Sequence, residues 1–537
     1  MSIFSLFHTI HYLKIKQIIF QIIYRLYIPP FIQRCQVGVS MLLTDDISKY
    51  TCNNDMCFTF LNLSSDFKGW NDISKGMLWA YNLNYMDWLL QEGMSYEKGA
   101  EWIDRFISDL PGNRIGLDPY PIALRGINWI KFISWRRESI DERHLKQWND
   151  SLYSQYVLLS KKLEYHLMGN HLLEDAYSLF IAALYFKDDK FYRKSKKMLW
   201  QELKEQILPD GAHYEQSPMY HCILLDRLLD CYNFSSYNIR FVGQETFNEY
   251  LKEKIVLMLG HLDSIVWKDD TVPLFNDSAY GIAPTVSELR AYAKRLKLEW
   301  KSLLMNGCGY RKLCSTRLEA VVDVGNITAT YQPGHSHADT FNYELRIDGR
   351  PFIVDTGIST YNKTARRQYE RSTSAHNTVT IGNKNSSEVW GGFRIGKRAK
   401  EKVLSDTESE VMAEHNGFKG YIHQRKFAIN DEVFTINDEI IGNNTAECIS
   451  YIHFAPDIEL LAMSSTEIRT NRANIVVSGA ISIDIINDFK YNFFILLKKS
   501  LNIVFVSLFS YCLITSVVAT ILGNSHNNIG INNKNVK

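Results

Sequence analysis

The chain has 537 residues, with 60 Lys and Arg against 59 Asp and Glu, so its formal net charge is +1. Hydrophobic residues make up 46% of the chain and charged residues 22%, which is typical of globular proteins and excludes a disordered or many-span membrane chain. A protein that binds nucleic acid through bulk charge would be strongly basic, so nucleic acid is not predicted as a partner. Any acidic ligand must instead meet a local basic patch.

Residues 1–70 are predicted to be a lead-in that carries an amphipathic helix. The stretch 11–27, "HYLKIKQIIFQIIYRLY", mixes apolar positions with basic ones, and two prolines follow it. We expect this helix to dock on its own protein, with a membrane surface as the alternative. The apolar stretch is interrupted by His and Lys and no small-residue cleavage site follows, so no secretory signal is predicted.

The hydrophobic period changes once along the chain. Over residues 71–305, apolar residues recur at i, i+3, i+4 and i+7 in successive segments, which predicts a toroid or solenoid of antiparallel helices. Over residues 306–522 the period becomes two, with Gly, Asn and Asp turns, which predicts a β-sandwich. Helices first and strands second indicate two domains, and junctions of this kind commonly form ligand clefts.

The last part of the predicted sandwich could, by its length alone, be either a membrane-spanning helix or strands. Residues 501–522 carry no charge and are long enough to span a bilayer. They are also rich in β-branched residues, which favour strands, so we predict strands and no integral membrane anchor. The Asn-rich tail, residues 523–537, is predicted to be disordered.

Two clusters of polar side chains lie at predicted helix starts. Asn170, His171 and Glu174 share one of them. Asn170 could simply cap the helix, and the other two could share a helix face. Glu215 and Tyr220 belong to "DGAHYEQSPMYH", which crowds titratable groups at the entry to the next helix. Such crowding is unusual for plain packing and favours a cleft lining.

Two further clusters lie in the predicted β region. His335 and His337 alternate onto one face of a strand, a spacing common among metal ligands, and Asp355 could return to the same site from the next strand. Arg371 and His376 lie in a run of arginines that could supply the local basic patch; a solvated basic surface is the alternative for the Lys/Arg run that follows. Together the clusters suit proton abstraction next to a carboxylate better than hydrolysis, which needs two carboxylates facing one bond.

Four ordered motifs resemble those of the heparinase II/III-like polysaccharide lyases. The likeness covers roughly residues 10–500 and implies an incomplete (α/α) toroid followed by an antiparallel β-sandwich, with β-elimination of a uronic-acid-containing polysaccharide such as a glycosaminoglycan. The motifs are "GNHLLE" at 169–174, "DGAHYEQSPMYH" at 210–221, "GHSHAD" at 334–339 with "FIVDTG" at 352–357, and "RSTSAHNTV" at 371–379 with "WGGFR" at 390–394.

The resemblance implies a role for each motif. Asn170, together with His171, would neutralise the uronate carboxylate, which makes the C5 proton more acidic and stabilises an enolate-like intermediate. Tyr220 would protonate the leaving O4 and, in some substrates, also take the C5 proton, with His335 as partner base. A structural zinc ion would hold the strands that present His335. The implied zinc ligands are His337, Asp355 and His376, and the predicted substrate contacts are Glu174, Glu215 and Arg371.

Two alternatives remain open at this point. One is a toroid glycoside hydrolase that uses Glu174 and Glu215, which would give products without an unsaturated uronate. The other is a non-catalytic glycan-binding or surface-polysaccharide assembly protein. The resemblance predicts the cell envelope or periplasm, and the cytoplasm is the alternative because no signal peptide is recognised.

Overall fold

The computed structural model describes residues 3–34, 57–61, 63–442, 444–480, 482–486, 494–500 and 514–521. Within these ranges most of the helices precede the sheets. The helices are α1 (Ile3–Tyr12), α2 (Ile15–Leu26), α3 (Met77–Tyr85), α4 (Tyr96–Asp109), α5 (Pro119–Trp135), α6 (Glu142–Lys161), α7 (Gly169–Phe186), α8 (Asp189–Gln206), α9 (Pro218–Tyr237), α10 (Gln244–Ile265), α11 (Val286–Arg295) and α12 (Ala365–Glu370).

The helices from α3 to α11 pack around a core in which α7 is central. Helix α7 contacts α5, α8 and α9, and every one of its residues except His171 is buried. A helix that is apolar on all sides belongs in an interior, and the sequence of α7 fits that rule. Fully buried indoles of Trp79, Trp129 and Trp148 fill the same core. The first turn of α7 is therefore a rigid platform for Asn170.

The two N-terminal helices dock on the protein itself, as predicted. Trp390 donates its indole N–H to the Thr9 hydroxyl of α1 (3.2 Å). On α2, the Gln17 amide donates to the Leu167 carbonyl (2.9 Å) and the Tyr24 hydroxyl to the Leu163 carbonyl (2.6 Å). Helix α2 thereby braces the segment that leads into α7.

The strands are short and connected mainly by turns. They are β1 (Cys57–Phe60), β2 (Leu63–Asp66), β3 (Tyr310–Cys314), β4 (Leu318–Asp323), β5 (Tyr343–Ile347), β6 (Arg350–Ile353), β7 (Val379–Ile381), β8 (Val389–Trp390), β9 (Arg394–Ile395), β10 (Glu401–Asp406), β11 (Glu410–His415), β12 (Tyr421–Ile429), β13 (Val433–Gly442), β14 (Glu447–His453), β15 (Leu460–Met463), β16 (Glu467–Thr470), β17 (Ala473–Ser478), β18 (Ser482–Ile486), β19 (Phe494–Ser500) and β20 (Ile514–Ile521).

The strands after the helical region form layered antiparallel sheets. The largest sheet has the order β10-β11-β12-β13-β20-β17-β16-β15, and the two four-stranded sheets have the orders β18-β19-β14-β7 and β3-β4-β5-β6. From His423 to Ile429, β12 buries every second residue, as expected of a strand with one face on a core. Phe352, Phe427 and Phe454 belong to the apolar core of these sheets.

The C-terminal apolar run contributes a strand inside the largest sheet. Strand β20 pairs antiparallel with β13 on one side and with β17 on the other. In this backbone register Val517 is the partner of Ile436 in β13 and of Val477 in β17. The strand prediction is therefore confirmed for residues 514–521, while 501–513, 522 and the predicted disordered tail at 523–537 lie outside the described residues. In the described part of the chain, no helix has the length and apolar character to cross a bilayer.

Hydrogen bonds tie the helical region to the sheets at the junction. The predicted boundary between residues 305 and 306 falls in the connection from α11 to β3. The Asp210 carboxylate accepts from the backbone N–H groups of Gly307 and Cys308 (both 2.9 Å), and the Gln216 amide donates to the carbonyls of Cys308 (2.7 Å) and Asn326 (3.0 Å). Side chains from both regions can therefore meet in a fixed geometry.

Candidate active site

The structure brings three predicted catalytic side chains together at this junction. Asn170 stands at the start of α7, Tyr220 in the first turn of α9, and His335 in the loop between β4 and β5. The Asn170 amide nitrogen lies 3.0 Å from His335 Nε2, and the Tyr220 and His335 ring centroids are 3.8 Å apart. His171 follows Asn170 in the first turn of α7.

Glu215 fixes the position of Asn170. One carboxylate oxygen accepts from the Asn170 backbone N–H (2.9 Å) and the other from its side-chain amide (2.8 Å). The carboxylate is thus placed at the N-terminus of α7, where the helix dipole favours negative charge. Gly169 has φ +60°, and a Cβ there would lie 2.7 Å from a Glu215 oxygen, so glycine is needed for this approach.

Asp277, which the sequence analysis did not select, holds the opposite side of His335. Its two oxygens lie 2.8 Å from His335 Nδ1 and 2.8 Å from His337 Nε2. Arg367 donates to both oxygens through its two terminal nitrogens, one of them at 2.7 Å. Burial alone would raise the pKa of Asp277, but the Arg367 charge and the donated hydrogen bonds hold it well below its ordinary value. Asp277 is therefore a buried anchor that is ionised at neutral pH.

These contacts define the tautomer of His335. An ionised carboxylate can only accept, so His335 Nδ1 carries the proton that is donated to Asp277. In the neutral ring, Nε2 then has a free lone pair, and it faces the amide of Asn170. Nε2 also lies 3.4 Å from a Glu215 carboxylate oxygen, and in the neutral ring it is the nitrogen that can accept a proton, as a general base must.

The environment of Tyr220 favours the protonated phenol. Ser217 caps α9 by accepting from the Tyr220 backbone N–H (3.2 Å). Burial is the largest influence on the phenol and raises the pKa of Tyr220 above its ordinary value, with the charges of Asp277 and Glu215 adding to the effect. Tyr220 is consequently protonated near neutral pH and can donate a proton.

His171 contacts Glu164 and Tyr120. Its Nδ1 lies 3.0 Å from a Glu164 carboxylate oxygen, and its ring packs against Tyr120 at 4.8 Å between centroids. Burial works to lower the pKa of His171, but the Glu164 charge and hydrogen bond outweigh it and the pKa is raised. His171 keeps part of its surface exposed, so it can present positive charge to an anionic ligand.

The three predicted substrate contacts are all buried in the structure. Glu174 is 0% exposed, its carboxylate oxygens have no hydrogen bond among the described residues, and burial raises its pKa to about 7. Arg371 is also 0% exposed and donates to the Ser336 carbonyl from Nε (3.2 Å) and Nη2 (2.8 Å). Glu215, 1% exposed, binds Asn170. As arranged, Arg371 and Glu215 position other groups, and none of the three offers an open surface to a polysaccharide.

The predicted zinc ligands are adjacent, and each of the two histidines presents a ring nitrogen without a hydrogen-bond partner among the described residues. His337 Nδ1 and His376 Nε2 are buried and, among the described residues, have no hydrogen-bond partner, with the two rings 5.2 Å apart. The Asp355 carboxylate already accepts from the Gly357 N–H (2.7 Å) and from the Asn342 amide, and it lies 2.9 Å from His376 Nδ1. The two imidazoles fit a metal, whereas Asp355 fits the carboxylate that orients a ligating histidine.

A different group has the tightest metal-like spacing. Asp210, His261 and Cys308 form the single group of three such side chains, in the described part of the chain, whose donor atoms lie within 4.8 Å of one another. The Asp210 carboxylate is already engaged by backbone N–H groups at the junction. We therefore assign this group a structural role between the two regions.

Comparison with known proteins agrees with the motifs. The description "Heparinase II/III N-terminus" matches residues 126–298, and "Heparinase II/III-like, C-terminal" matches residues 299–503. The chain belongs to the heparinase II/III family. Heparin-sulfate lyase from Pedobacter heparinus is 26% identical over 332 residues, covering 56% of this chain and 48% of that protein. The corresponding protein of Bacteroides thetaiotaomicron is 25% identical over 328 residues, covering 52% and 45%, so this chain spans about half of each.

Solved structures of the family share the fold. A heparinase III crystal structure superposes with a TM-score of 0.62 at 16% identity, covering 83% of this chain and 76% of that one. A heparan sulfate lyase mutant from Pedobacter heparinus gives 0.58 at 18% identity, covering 85% and 80%. The predicted fold class, a helical toroid followed by an antiparallel β-sandwich, is confirmed.

Proposed function

We propose that this protein is a polysaccharide lyase that cleaves a uronic-acid-containing polysaccharide of the glycosaminoglycan class by β-elimination. The observation that carries the proposal is the meeting of the Asn170 amide, the Tyr220 phenol and His335 Nε2 at one place. Heparin-sulfate lyases among the relatives of this chain support the substrate class.

The reaction follows from the protonation states of these groups. The uronate carboxylate binds near Asn170 and His171, which reduces its negative charge and stabilises the enolate that forms when C5 loses its proton. His335 Nε2 takes the C5 proton, and Asp277 stabilises the imidazolium that results. The C4–O4 bond then breaks, its electrons leave with O4, and Tyr220 donates its proton to that oxygen. The products are a C4=C5 unsaturated uronate and a new chain end.

Substrate binding must displace one contact that the free protein makes. The Asn170 amide nitrogen donates toward Glu215 and His335 at the same time. A uronate carboxylate can accept the hydrogen that faces His335, which frees the Nε2 lone pair for C5. Catalytic hydrogen bonds commonly reorganise in this way when substrate enters.

A structural zinc ion is part of the proposal. His337 Nδ1 and His376 Nε2 are the atoms that would hold it, and Asp355 would orient His376. Zinc binds imidazole nitrogen readily and would tie together the loops that carry His335 and His376. No step of the elimination passes through the metal.

The contacts of the two carboxylates argue against the hydrolase alternative. It requires Glu174 and Glu215 to face one glycosidic bond, yet both Glu215 oxygens are bound to Asn170, and Arg227 Nε lies 3.8 Å from a Glu174 oxygen. The deciding experiment incubates the purified protein with a panel of uronate polysaccharides and follows ultraviolet absorbance. An absorbance rise from unsaturated uronate supports the lyase, and shortened chains without absorbance contradict it.

A further inference from the structure

A basic cavity of about 650 Å³ lies between α1 and the β10–β13 end of the largest sheet. Its volume is within the range of ligand sites, roughly 300–1,000 Å³. Four of its lining residues are basic and none is Asp or Glu. It shares no lining residue with the candidate active site. The basic residues are Lys397, Arg398, Lys400 and Lys419, and the tyrosines in the lining are Tyr12 and Tyr421.

Arg398 is the residue in this cavity whose side chain has hydrogen-bond donors left unsatisfied by the described residues. It is 7% exposed, and its Nη2 donates to the Thr330 carbonyl (2.5 Å). Its Nε and Nη1 have no hydrogen-bond partner within the described ranges, and its guanidinium lies 3.9 Å from the Tyr12 ring centroid. Burial lowers the pKa of Arg398 to about 10, because no carboxylate compensates for the lost hydration.

A buried cation without a counter-charge is costly, and proteins usually satisfy one by pairing. The free N–H groups of Arg398 can each donate one hydrogen bond to an oxygen of a carboxylate or sulfate. The surrounding lysines add attraction for a longer anionic chain. We propose that this cavity is a second binding site for the acidic polysaccharide, in which Arg398 holds a carboxylate or sulfate group. The identity of the glycan rests on the proposed function.

The test is an equilibrium measurement on the full chain. The melting temperature is followed with sodium sulfate against sodium chloride at equal ionic strength, and then with a heparan sulfate hexasaccharide. The variants are Arg398→Gln and the pair Lys400→Gln/Lys419→Gln, with Lys384→Gln/Lys402→Gln as the matched control because those exposed lysines lie outside the cavity. If Arg398→Gln does not fold, the lysine pair carries the test.

We expect wild type and control to respond equally, and the cavity variants to bind both ligands about tenfold more weakly. Equal responses from all proteins would overturn the site, and a sulfate response without any hexasaccharide response would overturn the glycan assignment. Neither measurement needs turnover. A protein that binds but never produces unsaturated uronate refutes the proposed function alone.

A second inference comes from the orientation of α1 and α2, which turn polar side chains inward. Ser5 and Thr9 of α1 are buried, with Ser5 bonded to Glu388 and Thr9 to Trp390. On α2 the most buried residue is Gln17, at 1% exposure. An amphipathic helix that docks on a core normally does the reverse.

The outer face of these helices is apolar. At 100° per residue, the aliphatic positions of α2 fall on one stripe, which begins at Ile15 (77% exposed) and ends at Leu26 (82% exposed). Contiguous apolar surface of this kind marks an interaction site. The exposed members are Leu6, Phe7, Ile10, Ile15, Ile18, Ile19, Ile22, Ile23 and Leu26.

The charge around the stripe identifies the partner. Residues 1–44 contain Lys14, Lys16, Arg25 and Arg34 but no Asp or Glu. Lys14 pairs with Glu205, and the Lys16 ammonium lies 3.6 Å from the Tyr165 ring centroid. Lys16 and Arg25 fall on opposite edges of the α2 stripe. Basic residues that flank an apolar helix face suit the plane of a bilayer with anionic head groups. The geometry points to attachment of the protein to an anionic lipid surface through α1 and α2.

Vesicle flotation tests this attachment. The full chain is mixed with phosphatidylglycerol/phosphatidylethanolamine vesicles or with phosphatidylcholine vesicles, and its oligomeric state is measured without lipid. The stripe variant is Ile19→Asp/Ile22→Asp. Its control is Val242→Asp/Leu304→Asp, which introduces two aspartates at apolar residues outside the stripe, with relative exposures of 101% and 79%. We expect wild type and control to float with anionic vesicles, with at least tenfold less floating in the stripe variant.

Three results would overturn the lipid assignment. They are absence of wild-type flotation, equal flotation of the stripe variant, and a lipid-free dimer that the stripe variant abolishes. The last result would show that a second copy covers the stripe. A melting temperature close to that of wild type establishes that the stripe variant is folded.

Discussion

His335 depends on different partners at its two ring nitrogens. The carboxylate of Asp277 fixes the proton on Nδ1, and the Asn170 amide faces Nε2. Asp277 also neutralises the buried Arg367, so one carboxylate both orients His335 and balances a charge. At the scale of single residues, contacts with Asp277 and Asn170 fix the orientation of the His335 ring.

The first residue-scale prediction concerns the base and the acid. His335→Ala and Tyr220→Phe should each lower kcat by about 10²–10⁴-fold, because one general acid or base typically supplies that much. Steady-state absorbance assays measure the rate, and circular dichroism verifies the fold. Near-normal rates in both variants would refute the assignment.

The second residue-scale prediction concerns Asp277. Asp277→Asn should lower the unfolding free energy by about 3–5 kcal/mol, because it leaves Arg367 buried without its partner. Denaturant melts of Asp277→Asn, and of Asp277→Asn/Arg367→Gln as the charge-matched control, measure the effect. The double variant should recover part of the lost stability. An Asp277→Asn protein as stable as wild type would contradict the role.

The pKa of Asp277 gives this contribution a pH dependence. Its folded pKa lies well below the ordinary value of about 3.9. The stabilisation is therefore complete above about pH 4 and is lost as the pH falls from there through the folded pKa. Melts across this range should show the difference between wild type and Asp277→Asn shrinking only in acid. A difference that shrinks near neutral pH would contradict the assignment.

At the scale of elements, loops and strands from several segments hold the site in place. The loop before β5 carries His335 and His337, the segment after β6 carries Asp355, and the segment after α12 carries Arg371 and His376. Arg371 connects the last of these to the first through the Ser336 carbonyl. The predicted zinc would add a second connection.

The zinc prediction is tested by removing one ligand. His337→Ala should lose bound metal and melt at a lower temperature, because metal binding contributes folding free energy. Elemental analysis and melting with and without a chelator are the measurements, and His11→Ala, an exposed histidine, is the control. Wild-type protein with no metal and no response to zinc would refute it.

The terminal strand gives a prediction at the same scale. Deletion of residues 500–522 removes β20 from between β13 and β17 and leaves two unpaired edges in the largest sheet. The shortened protein should be insoluble or unfolded, as measured by sedimentation and circular dichroism. A soluble, folded and active product released from membranes would contradict the strand assignment.

At the scale of the whole molecule, periodicity was enough to predict the order of helices and sheets. The motifs were enough to select Asn170, Tyr220 and His335. Asp277 was not predictable, because its partner His335 lies 58 positions away and its own segment has no periodicity. Arg367 and Arg371 look alike in sequence, and only packing determines that Arg367 reaches Asp277 while Arg371 reaches a backbone carbonyl.

The burial of Glu174 could not be predicted from the sequence for a related reason. It stands one turn beyond Asn170 in the same motif, so sequence alone suggested the same cleft. In the structure, every residue of α7 except His171 is buried, and Glu174 is 0% exposed. A motif in sequence therefore marks where a site begins but not how far it extends into a helix.

The most direct test of β-elimination is the mass of the products. A lyase splits the chain without adding water, so the product masses sum to the substrate mass, whereas a hydrolase adds one water per cut. Mass spectrometry of a uronate oligosaccharide treated with wild-type protein, with Tyr220→Phe as the control, measures this sum. We expect an unsaturated product lighter by one water than its hydrolytic counterpart, and almost none from the control. Products that carry the added water would contradict the proposed function.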